Sequence, residues 1–174
     1  IVAGCTFDGG AKFSVARFHH DANFRDVRFK TGATFDDAQF SSVVDFENST
    51  FLTETPANFK RARFKHPENV SFVRINRDVT DFFRASFLNT DVRELHFEDI
   101  NWFRDKHRLV LQDEINIKSE RKGKSTRAPY EAVAVLYRQL KENFERGPDW
   151  GNAEDCSSGV LEMKRLDPKE RWFD

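Results

Sequence analysis

Ala33-Thr34-Phe35-Asp36-Asp37-Ala38-Gln39-Phe40-Ser41-Ser42 holds two copies of one five-residue phrase: small, polar, Phe, polar, polar. Outward from it, Phe recurs at 7, 13, 18, 24, 29, 35, 40, 46 and 51, with gaps alternating between 6 and 5. A straight helix scatters these rings around its circumference, and Gly9, Gly10 and Gly32 weaken a helix further. A continuous strand throws alternate rings to opposite faces, because a mixed step of 5 and 6 breaks parity. A chain that turns a corner about every five residues places every Phe at the middle of a short side, pointing inward. Two residues earlier stand Ala11, Ala16, Ala22, Val27, Ala33, Ala38, Val44, Ser49, Ala57, Ala62 and Val70. These pack inward beside each corner. Between them lie polar residues such as Lys12, Arg17, Asn23 and Arg28. This is a solenoid with a filled interior and a solvated skin.

The phrase resembles the pentapeptide repeat, A-(D/N)-(L/F)-x-x, over roughly residues 5–103. The resemblance implies a right-handed quadrilateral β-helix with four short sides per coil. The extra residue of each six-step falls at Gly9/Gly10, Asp21, Thr31/Gly32 and Val43, and is expected to bulge a corner. The register slips at Thr53–Pro56 and His66–Glu68, two insertions marked by Pro56 and Pro67. It then resumes in fives at Phe72, Arg77, Phe82, Phe87, Val92, Phe97 and Trp102, which counts to four and a half coils. Arg77 is the discordant centre and is expected on a bulge or in an ion pair.

The division into two parts is also compositional. Of 19 Phe, 17 lie in residues 1–103, where 13 basic face 15 acidic residues. Residues 104–128 are expected as a strand-like piece, Leu109-Val110-Leu111, and a polar linker. Gly123-Lys124-Ser125 lacks the upstream Gly of a phosphate-binding loop, since Lys118 stands there. Residues 129–174 are expected as a helical hairpin cap. Its first helix, 129–147, has Tyr130, Val133, Tyr137, Leu140 and Phe144 spaced 3, 4, 3, 4 in a narrow apolar seam. That seam packs on the last coil, near Trp102 and Phe103, or on a second copy of the chain in a homo-oligomer. A second helix is expected over 152–165. The tail resembles one that follows Phe-type pentapeptide repeats in some prokaryotic proteins, often ahead of membrane-spanning helices.

Chemistry is sparse. The 174 residues carry a net charge of −1, with a pI near 6.6 and a mean hydropathy of −0.68. That excludes the strong basic excess of a dedicated nucleic-acid binder. No apolar run is long enough to span a bilayer, and no leader-like stretch is read. Opening on Ile1 rather than Met fits a fragment. The five His are dispersed, and Cys5 and Cys156 stand at opposite ends, so neither a metal site nor a disulfide framework is expected. The adjacent carboxylates Asp36-Asp37 and Asp113-Glu114 point apart rather than cooperate. Neither catalytic residues nor a cofactor are expected. The most charged cluster, Lys60, Arg61, Arg63 and Lys65, is the candidate interaction patch.

The functional expectation is a non-catalytic binding or scaffold module, the cytoplasmic domain of a larger protein, with a protein partner and no nucleic acid. A membrane enters only through segments outside this chain, which would place it at the inner face. The alternative is a DNA mimic that binds type II topoisomerases, as some pentapeptide-repeat proteins do. That reading needs a long acidic face.

Overall fold

The computed structural model describes residues 2–52, 55–122, 129–147 and 149–169. The chain winds as a parallel β-solenoid of about four turns and ends in helices. The first coil contributes β1 (Thr6–Phe7), β2 (Ala11–Lys12), β3 (Arg17–Phe18) and β4 (Ala22–Asn23). The second contributes β5 (Arg28–Phe29), β6 (Ala33–Thr34), β7 (Gln39–Phe40) and β8 (Val44–Asp45). The third holds β9 (Thr50–Phe51), β10 (Ala57–Asn58), β11 (Arg63–Phe64) and β12 (Val70–Val73), and the fourth β13 (Ala85–Ser86) and β14 (His96–Glu98). Each strand pairs in parallel with its counterpart one coil away, giving four sheets: β1-β5-β9, β2-β6-β10-β13, β3-β7-β11 and β4-β8-β12-β14. Thr6 aligns with Arg28 and Ala11 with Ala33, so the first two coils repeat every 22 residues, as the Phe spacing requires.

The rings form four columns along the axis. Phe13, Phe35, Phe59 and Phe87 stack at 5.0, 4.9 and 5.1 Å. Phe24, Phe46 and Phe72 stack at 4.8 and 4.9 Å, and Phe18, Phe40 and Phe64 at 4.7 and 5.0 Å. The rung spacing of about 4.8 Å therefore serves both the backbone ladder and offset aromatic stacking. Neighbouring columns meet edge to face, as Phe35 meets Phe46 at 5.4 Å. One polar group joins this core at each of two small-residue positions: Ser49 donates to the Phe24 carbonyl at 2.6 Å, and Thr90 to that of Phe59 at 2.5 Å.

The corners correct one expectation. Of the six-step corners, only Gly32 takes a left-handed conformation (φ 90°), where a Cβ would lie 2.6 Å from Thr55 Cγ2. At the five-step corners the left-handed residues include the non-glycines Val15, Asp26, Asp37, Asn48, Arg61 and Asn89, at φ 56–62°. At five of these six corners the residue after the left-handed one donates back to Phe, as Ala38 does to Phe35 at 3.0 Å and Ala62 to Phe59 at 3.0 Å. A positive φ at the third residue makes each a type II turn. The left-handed residues extend the ladder too, since Asp37 N donates to the Lys60 carbonyl at 2.9 Å. Asn and Asp suit this position, whereas a β-branched residue is strained there. Val15 is 65 % exposed and loses nothing by truncation. Val15→Asn is therefore expected to raise stability by about 1 kcal/mol, read as a higher urea midpoint.

The register after Phe72 also differs from strict fives. Phe83, not Phe82, enters the core, leaving Phe82 43 % exposed. Between Phe72 and Phe87 there is one side, not two, which reduces four and a half coils to about four. Arg77 lies on the intervening segment, exposed and 3.0 Å from Asp99 Oδ2, so it is both displaced and paired. Above β9 the ladder continues through a side chain. Asn76, 1 % exposed, accepts from Phe51 N at 2.7 Å and donates to Phe51 O at 2.7 Å. Its amide stands in for a neighbouring strand's peptide. Asn76→Ala leaves both groups buried without partners and is expected to cost about 2 kcal/mol, measured by urea denaturation.

Residues 104–122 are not a strand and linker. They form an antiparallel hairpin, β15 (Arg104–Asp105) with β16 (Arg108–Leu109), followed by helix α1 (Gln112–Lys122). Residues 123–128, with the Gly123-Lys124-Ser125 stretch, lie outside the described residues, as do 170–174. The expected helices appear as α2 (Tyr130–Arg146) and α3 (Trp150–Leu166). Asp149 caps α3, accepting from Asn152 N at 3.2 Å. Among the described residues no helix is long and apolar enough to cross a membrane.

Candidate functional site

The C-terminal helices close the end of the solenoid. Open coils leave backbone carbonyls and ring faces uncovered, and α2 meets both. Asn143 donates to the carbonyls of Val92 (2.8 Å), Arg93 (2.9 Å) and Leu95 (2.6 Å). The Phe144 ring reaches Phe97 at 6.4 Å and Trp102 at 6.3 Å. From α1, Asp113 caps the β13 edge, accepting from Ser86 Oγ at 2.5 Å and Phe87 N at 3.1 Å. Burial holds its carboxyl above the usual range. In the apolar seam Val133, Tyr137, Leu140 and Phe144 are buried within the chain, and Tyr130 is half-buried.

One buried polar cluster locks this cap. Glu114, fully buried, accepts from Arg108 Nη2 (2.6 Å) and Lys118 Nζ (2.6 Å) on one oxygen and from the Tyr137 hydroxyl (2.5 Å) on the other. The same hydroxyl accepts from Leu111 N at 3.1 Å. Burial, reinforced by the neighbouring Glu114 carboxylate, raises the phenol well above its usual range. Gly159 lets α3 approach that ring: a Cβ there would fall 2.6 Å from it. Nearby, burial pushes the Cys156 thiol up as well. The sequence marks Glu114 only as the neighbour of Asp113; the signal for its role is Tyr137 itself, whose hydroxyl needs a partner once its seam is buried. Asp113 and Glu114 do serve separate partners, but from a helix rather than a strand. Asp36 and Asp37 also divide: Asp36 accepts from Ser14 (2.5 Å) and Thr34 (2.5 Å), whereas Asp37 holds Arg61.

The candidate patch separates on inspection. Arg61 is tied to Asp37 by two bonds of 2.7 and 2.5 Å, which hold the Asp37 carboxyl below the usual range. Lys60 is half-buried and makes no ion pair within the described residues. Arg63 and Lys65 flank Phe64 on β11, are exposed and have no ion-pair partner among the described residues. Arg17 and Arg63 both register on Gln39, so His19, Ser41 and Lys65 align beside them. The β3-β7-β11 face thus carries Arg17, His19, Arg63 and Lys65 around a neutral centre of Gln39 and Ser41.

The acidic side is the opposite case. Asp45 and Glu47, on the β4-β8-β12 face, are held by Arg25, which lies 3.0 Å from Asp45 and also bonds Glu47. Arg74 bonds Glu47 as well. Asp91 and Arg93 do not share that side. They flank Val92 above β11 and pair with each other at 3.0 and 2.6 Å. Among the described residues no three His, Cys, Asp or Glu are grouped to hold a metal ion.

Comparison with curated proteins and with solved structures finds no match. Residues 3–39 match the family model described as pentapeptide repeats (9 copies). The parallel ladder begun by those residues continues to β13 and β14 on two of the four sides, an architecture consistent with a pentapeptide-repeat β-helix, and its C-terminal end is closed by a hairpin and three helices.

Proposed function

We propose that this protein is a non-catalytic interaction module, a rigid scaffold rod read by a protein partner through its polar skin in a cytoplasmic setting. The observation that carries the reading is the division of labour between core and skin. The Phe columns are spent on holding the rod, and ion pairs quench most of the skin. On the β3-β7-β11 face Arg17, Arg63 and Lys65 stand outward, and among the described residues no outward position on its first three coils holds an acid; Asp37, at the adjoining corner, is paired with Arg61. Solenoids use such extended faces for recognition. The free thiols Cys5 and Cys156 suit a reducing compartment. The DNA-mimic alternative is disfavoured by Arg25 and Arg74 lying within the acidic side. The test is affinity capture from an extract of the source cells. The intact chain is expected to retain a protein in near-stoichiometric amount, and a variant with skin charges reversed on all four sides to release it. Retention of nothing, or equal retention by the reversed variant, would refute the reading.

A further inference from the structure

Resting on that reading, we propose that the β3-β7-β11 face binds an acidic protein segment in extended conformation. Along a strand, outward residues two apart lie about 6.5–7 Å from each other. That is the separation of Arg63 from Lys65 and of Arg17 from His19. It is also the separation of carboxylates at alternate positions of an extended peptide, so the two lattices match when the peptide lies along the coil direction. Two coils separate Arg17 from Arg63, about 9–10 Å, with Gln39 and Ser41 between them. The centre therefore offers an amide and a hydroxyl to polar side chains or backbone, while the cations receive carboxylates. Val15 and Val43, 65 % and 43 % exposed, lie on the corners at the two margins of this face and offer apolar contacts that a peptide can use.

The size of the patch selects the class of partner. A membrane would gain about 1 kcal/mol per cation, so three cations hold it weakly, and among the described residues no apolar helix adjoins the face to insert. Against a nucleic acid, three phosphate contacts give a shallow salt slope of about −3, in a chain whose net charge is −1. A short acidic segment needs no more than the patch supplies.

The experiment uses the full chain and a labelled peptide of about ten alternating Glu and Thr residues, followed by fluorescence anisotropy at about 50 mM salt. Saturable binding is expected, weakened at least about tenfold in the Arg63→Glu, Lys65→Glu double variant. Binding should be unchanged in Lys106→Glu, an exposed cation on the hairpin. A Lys-for-Glu peptide should not bind. Both variants alter exposed side chains and should melt with the native chain. Equal affinity in the double variant, or no binding of the acidic peptide, overturns the proposal. So does tighter Arg63-dependent binding of single-stranded DNA, or of vesicles about one-third phosphatidylserine. Stoichiometric capture from extract that survives the double variant but not reversal of the other faces would overturn this assignment while leaving the interaction role in place.

Discussion

Phe35→Ala is expected to destabilise the solenoid by about 3–5 kcal/mol, the full cost of deleting a buried aromatic ring. Phe35 is 0 % exposed and sits at the crossing of the columns. It stacks on Phe13 and Phe59 at 5.0 and 4.9 Å and meets Phe24 and Phe46 edge-on at 5.3 and 5.4 Å. The backbone ladder on either side fixes the coil spacing, so the cavity cannot collapse along the axis. Phe7 offers the contrast. It is half-buried at the N-terminal end of the described rod and stacks on Phe29 alone, at 5.4 Å. Phe7→Ala should cost less than half as much by urea denaturation. Equal costs would mean that the columns do not carry the stability.

The second large effect is expected at the cap. Glu114→Ala leaves Arg108 and Lys118 facing each other without their shared carboxylate and strips the Tyr137 hydroxyl of its acceptor. The Arg108 side chain is 19 % exposed, so solvent compensates only in part, and a cost of about 3 kcal/mol follows. Glu114→Gln keeps an acceptor for Tyr137 and should cost less. Because the cap shields Trp102, 5 % exposed and 6.3 Å from Phe144, its loosening should red-shift Trp emission before the rod melts. A single transition at unchanged midpoint would contradict the locking role. The rim of the cluster adds an acid-side dependence. Glu162 is held down to about 2 from 4.5, first by its bonds to Arg165 and then by Lys118. A lowered carboxylate pKa contributes stability fully above about pH 4.5. That contribution is lost as pH falls through about 2, and Glu162→Gln should abolish this part of the acid profile.

Most of the rod is legible in the spacing of Phe, because a coil side admits one inward ring and the ladder repeats that demand at every turn. Where two rings compete, spacing is silent. Phe82 and Phe83 both fit an inward position, and the choice was made by Asn76 and Asn101, which hold the preceding segment through the Asp81 carbonyl at 3.2 and 3.1 Å. Helix α1 escaped detection for a different reason. It covers a strand edge with Asp113 and the core with Ile117, so its sequence has no apolar stripe to reveal it. The left-handed corners escaped as well, since Val15 and Arg61 carry no mark of a positive φ. At the candidate surface, the 22-residue repeat by which Phe18 and Phe40 are equivalent also aligns Arg17 with Gln39, and Arg63 follows on the next coil. The pairing of Arg61 with Asp37, which removes one cation from the patch, depends on the way adjacent coils bring their corners together and has no signature along the chain.

The most direct test of a rod that is read on one basic face is chemical-shift mapping of the labelled chain during titration with the alternating Glu–Thr peptide. Perturbations are expected at the amides of Arg17, His19, Gln39, Ser41, Arg63 and Lys65, with the β4-β8-β12 side and the helical cap unmoved. Perturbations centred on Asp45 and Glu47 or on α2 and α3, or none at saturating peptide, would contradict it.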